Sequence, residues 1–261
     1  MFAKSNRCQY QSNQLADVIC QLRFPEILSI RTELPAKFQD AIRGEFPKYA
    51  VKQEAQPPKL TGKAGEFSIQ QQPSVSNYQF TSEDNKWRVN LTSTFISLSC
   101  NQYSRWEDFA KILDKPLAAF IQVYKPAYFE RVGLRYINLI SRKALSLEDY
   151  PFRELFQPQY LGVLGDDEIL EQQTTHSGVD AELSIPGGCR VKIHAGPGLV
   201  KRGGQTDNEV KFIFDQDLYM PGNVPVNYAA GALQTLHAQA YPIFRGAITD
   251  ILHESMEPEN I

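Results

Sequence analysis

Four histidines are the first residues to search for chemistry: His176, His194, His237 and His253. None sits in an HxxxH or HExxH spacing, so no helical zinc pair is encoded. His237 lies beside the apolar face of a C-terminal helix, four residues before Tyr241, and reads as a packing-edge histidine. His253 follows Asp250 by three residues, the spacing of a surface ion pair on a helix.

Asp215 and Asp217 fall on one face of a predicted strand. With His194 or Glu209 as a third ligand they are the weak candidates for a metal site. The alternative is a solvated face, with Phe212 and Phe214 buried on the other side. Like charges on one face repel, so this pair calls for a partner.

Residues 196–204 read GPGLVKRGG. Glycine permits close backbone approach, and Lys201 and Arg202 beside Gly203 suit a phosphate or a nucleic acid. The run fits neither a Walker loop nor a GxGxxG turn between strand and helix. Arg131 and Arg135 share a strand face with Gly133 between them, which leaves room for a partner to approach. Otherwise each guanidinium needs a carboxylate from a neighbouring strand. Nucleophilic catalysis has no GxSxG to work with, and Cys189 and His194 point to opposite sides of one strand. No catalytic residue and no cofactor is expected.

The elements that position these residues follow from hydrophobic period. Residues 15–25 alternate, with Val18, Cys20, Leu22 and Phe24 on one side. A short helix opens at Pro35 and stops at Pro47, and a polar loop with Pro57 and Pro58 follows. Residues 64–100 read as a strand meander, with a hairpin turning at Glu83, Asp84, Asn85 and Lys86. Trp106, Phe109, Leu113, Leu117, Phe120 and Tyr124 form the stripe of a long helix, with Ser104 and Glu107 as its capping box and Pro116 as a kink or break. Residues 129–140 are the most strand-like run, apolar on both faces and so covered at least in part on both sides. Residues 146–171 read as an acidic connector with a short helix. Strands at 179–185, 189–194 and 209–218 follow, the last two separated by the glycine-rich loop. A closing helix reaches Leu252, interrupted at Pro242.

The predicted fold class is therefore α+β, in two similar halves, 1–145 and 146–261. Each half is an antiparallel sheet packed by a long, proline-interrupted helix. Net charge is −3 over 261 residues, which argues against a field that draws in DNA or a membrane surface. The four cysteines are scattered, with Cys20 and Cys100 in apolar runs, so reduced thiols and a cytoplasmic location are expected. Residues 1–14 carry no leader-like apolar stretch, and no run is long enough for a membrane span.

Four phrases go further: VICQLRFP at 18–25, PAKFQDAIRGEFPKY at 35–49, RVGLRYIN at 131–138 and FRGAITDILHESMEP at 244–258. In order and spacing they resemble a sporadically distributed, uncharacterised bacterial protein family of about this length. The resemblance implies no catalytic residues. It implies an accessory or interaction role, with a protein partner or a second copy of the chain, in mobile or defence-linked settings. The functional expectation is a non-enzymatic interaction protein. The alternatives are a nucleic-acid or phosphate binder using Lys201, Arg202, Arg131 and Arg135, and a module holding a small apolar ligand between sheet and helix.

Overall fold

The computed structural model describes residues 7–55, 59–63, 66–70, 74–202 and 205–260. The alternating run near the N-terminus forms strand β2 (Leu15–Arg23), with Val18, Cys20 and Leu22 fully buried. It is one of nine strands in a single antiparallel sheet. The others are β3 (Lys48–Glu54), β6 (Val75–Thr81), β7 (Trp87–Leu91), β8 (Phe95–Cys100), β9 (Phe129–Ile140), β10 (Val179–Ile185), β11 (Cys189–Arg202) and β12 (Gln205–Val224). Their order is β10-β11-β12-β9-β2-β8-β7-β6-β3.

One row of side chains crosses the whole sheet: Tyr49, Phe80, Val89, Leu98, Cys20, Leu134, Leu218, Val191 and Leu183. All but the edge residues Tyr49 and Leu183 are buried. A slip of one residue anywhere along this row would turn an entire strand's apolar set to solvent, so the hydrophobic pattern fixes the register.

Helices cover that face. They are α1 (Leu28–Thr32), α2 (Ala36–Ile42), α3 (Trp106–Tyr124), α4 (Phe152–Leu155), α5 (Ala229–Arg245) and α6 (Asp250–Ser255). Helix α3 packs on β8 and α2, whereas α5 packs on β9 and β12. Trp106, Phe109, Leu113, Phe244 and Ile248 are all under 8% exposed, as the helical stripes require. The opposite face of β9 is only partly covered: Ile137 and Leu139 are half-buried and Arg135 is exposed.

Several elements depart from the sequence reading. Pro116 does not interrupt α3, which runs unbroken through it. The proline lies with Leu113 and Leu117 over Leu22, Val89 and Leu98, so its ring serves as core surface. The cap of α3 is Arg105 in extended conformation, and Ser104 Oγ donates instead to Asp108 Oδ2 at 3.3 Å. Pro242 likewise lies inside α5, and the break comes later, between Arg245 and Asp250. There Ile248 bridges to Phe156, and the Thr249 hydroxyl donates to the Glu154 carbonyl. Strand β3 occupies residues expected to be loop; Pro57 and Pro58 lie outside the described residues.

Nor are residues 196–202 of the glycine-rich run a loop, for β11 extends through them; residues 203 and 204 lie outside the described residues. Gly196 is demanded by packing, since a Cβ there would come within 2.5 Å of the Ser177 carbonyl. The 145/146 boundary falls just after β9, which pairs with β2 on one side and β12 on the other, so it does not separate two sheets.

Two small ribbons complete the fold. Strand β4 (Lys59–Lys63) pairs with β5 (Glu66–Gln70), and β1 (Cys8–Tyr10) pairs with β13 (Pro258–Asn260). The second ribbon joins the two extremities of the described chain.

Candidate functional site

The open face of the sheet brings together residues that the sequence offered as separate sites. Arg131 Nη2 donates to Asp217 Oδ1 at 2.6 Å. Arg135 grips Asp215 with two donors, Nε lying 2.8 Å from Oδ1. The register sets Arg135 opposite Asp217; Arg135 reaches Asp215 one diagonal step away, and Arg131, opposite Pro221, reaches along the strand to Asp217. The candidate cations and the candidate metal ligands thus neutralise each other. His194 is held by Asp180 at 2.8 Å, and among the described residues no three His, Cys, Asp or Glu side chains gather as a metal site requires.

Gly133 does not leave an open approach. A Cβ at this position would lie 2.2 Å from Arg131 Nη1, because the guanidinium folds across it and stacks 4.5 Å from the Tyr219 ring centre. Gly133→Val is therefore expected to push the Arg131 guanidinium aside and cost about 1 kcal/mol in urea unfolding, the value of the displaced ion pair with Asp217. The double variant with Arg131→Ala should recover part of that loss, and an equal loss in both would refute the arrangement.

Lys201 is exposed near the β11–β12 turn; the side chain of Arg202 and all of Gly203 lie outside the described residues. Lys201 pairs with Thr206, Arg135 with Asp217 and Arg131 with Pro221, so the two cationic groups stand roughly 35–50 Å apart along β12 at about 3.3 Å per residue. They do not form one phosphate site.

The other face holds a cavity of about 100 Å³ between the sheet, the start of α3, the middle of α5 and the terminal ribbon. Its floor is built from residues that break the apolar pattern. On β9 and β12 the inward positions carry Tyr136, Asn138 and Gln216 among buried apolar neighbours, and Gln216 lies directly opposite Tyr136. Asn138 Nδ2 donates to the Phe214 carbonyl at 3.2 Å. Gln216 is 3% exposed, and among the described residues its Oε1 has no hydrogen-bond partner.

The wall from α5 is His237, which is buried rather than at a packing edge. Its Nδ1 lies 2.9 Å from the Tyr136 hydroxyl, which also hydrogen-bonds Tyr103. The imidazole stacks on the Trp106 indole with ring centres 4.6 Å apart, and Trp106 Nε1 donates to Gln234 Oε1 at 2.7 Å. Burial, reinforced by the Arg7 charge, lowers the His237 pKa to about 4. Burial raises Tyr10, Tyr103 and Tyr136 above the usual phenol range. All four side chains are therefore neutral near pH 7.

A scan against protein-family models finds no match to this chain. A search of curated proteins finds no match either.

The terminal ribbon forms the remaining wall. Tyr10 OH lies 2.8 Å from His253 Nδ1, so His253 does not pair with Asp250, whose carboxylate is taken by Arg245. Cys8 Sγ lies 3.3 Å from the Tyr241 hydroxyl, and Tyr10 meets the Phe244 ring edge-on. Part-exposed Arg7 and exposed Arg105 mark the side of the pocket that faces solvent. The signal for this site in the sequence was the polar residue in core phase: Asn138 within YINLI and Gln216 between Phe214 and Leu218.

Proposed function

We propose that this chain is a non-enzymatic binding protein that holds a small molecule between its sheet and its two long helices. The observation that carries this reading is a cavity walled by aromatic rings with a buried, unpaired amide oxygen in its lining. Ligand sites are concave, mostly apolar, and supplied with a few fixed polar groups. The directions in which burial drives the histidine and tyrosines support binding over catalysis. Each is pushed toward its neutral form, away from a poised base or nucleophile.

Ala240 lines the pocket from α5 and is the handle for a test. Ala240→Leu fills the space. The expected result is that denaturing extraction of the full-length parent, followed by mass spectrometry, releases a small molecule at near-equal molar amount, and that the variant releases none. A parent that carries none, and whose melting temperature no member of a fragment library raises, would overturn the reading.

The accessory role implied by the family resemblance belongs to the same proposal, as does a cytoplasmic location with a protein partner or a second copy. All four cysteines are free thiols, which suits a reducing compartment. Among the described residues no helix is long and apolar enough to cross a membrane. The nucleic-acid alternative is weaker, since Arg131 and Arg135 are already neutralised by carboxylates.

We further propose that the two halves are a duplicated unit meeting at β2 and β9. Strand order supports it. From the centre outward the sheet runs β2-β8-β7-β6 on one side and β9-β12-β11-β10 on the other, and each half ends in a long helix. This division assigns β9 to the second unit, near residue 127 rather than 145.

A further inference from the structure

We infer that the pocket takes a small, uncharged planar molecule, about one ring in size, that donates a hydrogen bond to Gln216. The inference rests on the binding function proposed above and names its ligand class.

Size sets the first limit. The cavity measures about 100 Å³. An engineered apolar cavity of about 150 Å³ accommodates benzene, so this space holds about one small ring. Shape sets the second. Tyr10, Tyr103 and Phe244 contribute flat aromatic surface, which favours a flat guest.

Polarity sets the third. Among the described residues Gln216 Oε1 accepts no hydrogen bond, whereas the neighbouring polar groups are engaged: Asn138 with the Phe214 carbonyl, and Tyr136 with His237 and Tyr103. A buried acceptor without a donor is costly, and a guest carrying an O–H or N–H removes that cost. Charge sets the fourth. The inner wall is neutral, and the nearest cations already have acidic partners, Arg7 with Glu107 at 3.3 Å and Arg105 with Asp108 at 3.2 Å. A charged guest would lose its hydration without a counter-ion to replace it. The ligand is thus polar at one point and apolar elsewhere, which narrows the small apolar ligand expected from sequence.

Phenol, toluene and benzoate separate these requirements at nearly constant size. Binding to the full chain is measured by saturation-transfer NMR and by shift in melting temperature. The expected result is phenol bound about tenfold more tightly than toluene, the value of one hydrogen bond to a buried acceptor, and no measurable benzoate binding. In Gln216→Leu, phenol should lose its advantage while toluene affinity holds; Gln216→Met is the second variant if leucine impairs folding. Ala240→Leu should abolish binding of both.

Equal binding of phenol and toluene, or a phenol preference that survives loss of Gln216, would overturn the ligand class and leave the pocket standing. Binding that survives Ala240→Leu would place these guests elsewhere and overturn the inference. Failure of all three probes, together with an empty parent on extraction, would overturn the pocket as a site.

Discussion

His237→Asn is expected to flatten the acid limb of the stability curve. His237 has a folded pKa of about 4, against 6.5 for the free side chain. Below pH 6.5 the unfolded chain takes up a proton that the folded protein refuses. The stability this residue contributes is complete above pH 6.5 and is lost as pH falls toward the folded value. Between pH 6.5 and 4 the parent should lose on the order of 3 kcal/mol more than the variant. Arg7 acts in the same direction as burial and Glu107 opposes it. His253, also lowered by burial, is common to both proteins and cancels in the comparison. Urea titrations at half-unit pH intervals measure the effect. The variant will be less stable at pH 7, having lost the Tyr136 bond and the Trp106 stack, so the slope and not the intercept is decisive. Parallel curves would mean that His237 is protonated in the folded state and that the neutral pocket is wrong.

Leu134→Ala should produce the second large effect. Leu134 is fully buried at the seam where β9 meets β2, midway along the side-chain row that crosses the sheet. Removing its isobutyl group is expected to cost about 2–5 kcal/mol, read as a lower urea midpoint. A more specific expectation concerns cooperativity. The only tryptophans are Trp87 and Trp106, and Trp106 touches α5 on the other side, so the measurement uses a Trp106→Phe background in which Trp87 fluorescence follows the first side while circular dichroism follows the whole chain. The two signals should coincide in parent and variant because one sheet spans the seam. Separate transitions would show two units that unfold on their own.

Much of this architecture was legible from period alone. Val18, Cys20 and Leu22 alternate strictly and became the middle of the sheet. The 129–140 run became the strand on which both sides meet. The long stripes from Trp106 and from Leu233 became the covering helices. Failures had physical causes. Prolines 116 and 242 read as breaks, yet each ring was accommodated within an unbroken helix. Gly196 and Gly198 signalled a loop because glycine is common there, but Gly196 is small for the sake of a close backbone neighbour, the Ser177 carbonyl. Strand β3 was invisible because all seven of its residues are exposed, which leaves no apolar alternation to detect.

The site was less legible than the fold. Charged residues drew attention on β9 and β12, and they proved to satisfy one another across the strands. The pocket residues were hidden in the same strands at opposite phase. A lone Asn138 or Gln216 among phenylalanines reads as noise until register shows that Gln216 faces Tyr136 and that His237 comes down on them from a helix a hundred residues away.

The terminal ribbon has a consequence in time. Its two strands lie at opposite extremities of the described chain, and bonded partners such as Gln11 and Glu259 are 248 positions apart. During synthesis Cys8–Tyr10 emerges before the sheet and finds no mate until β13 follows the sheet strands and both long helices. Contacts of such long range are slow to form and come late. The nascent molecule therefore passes through a stage in which the sheet and long helices are made and the ribbon wall of the cavity is still missing.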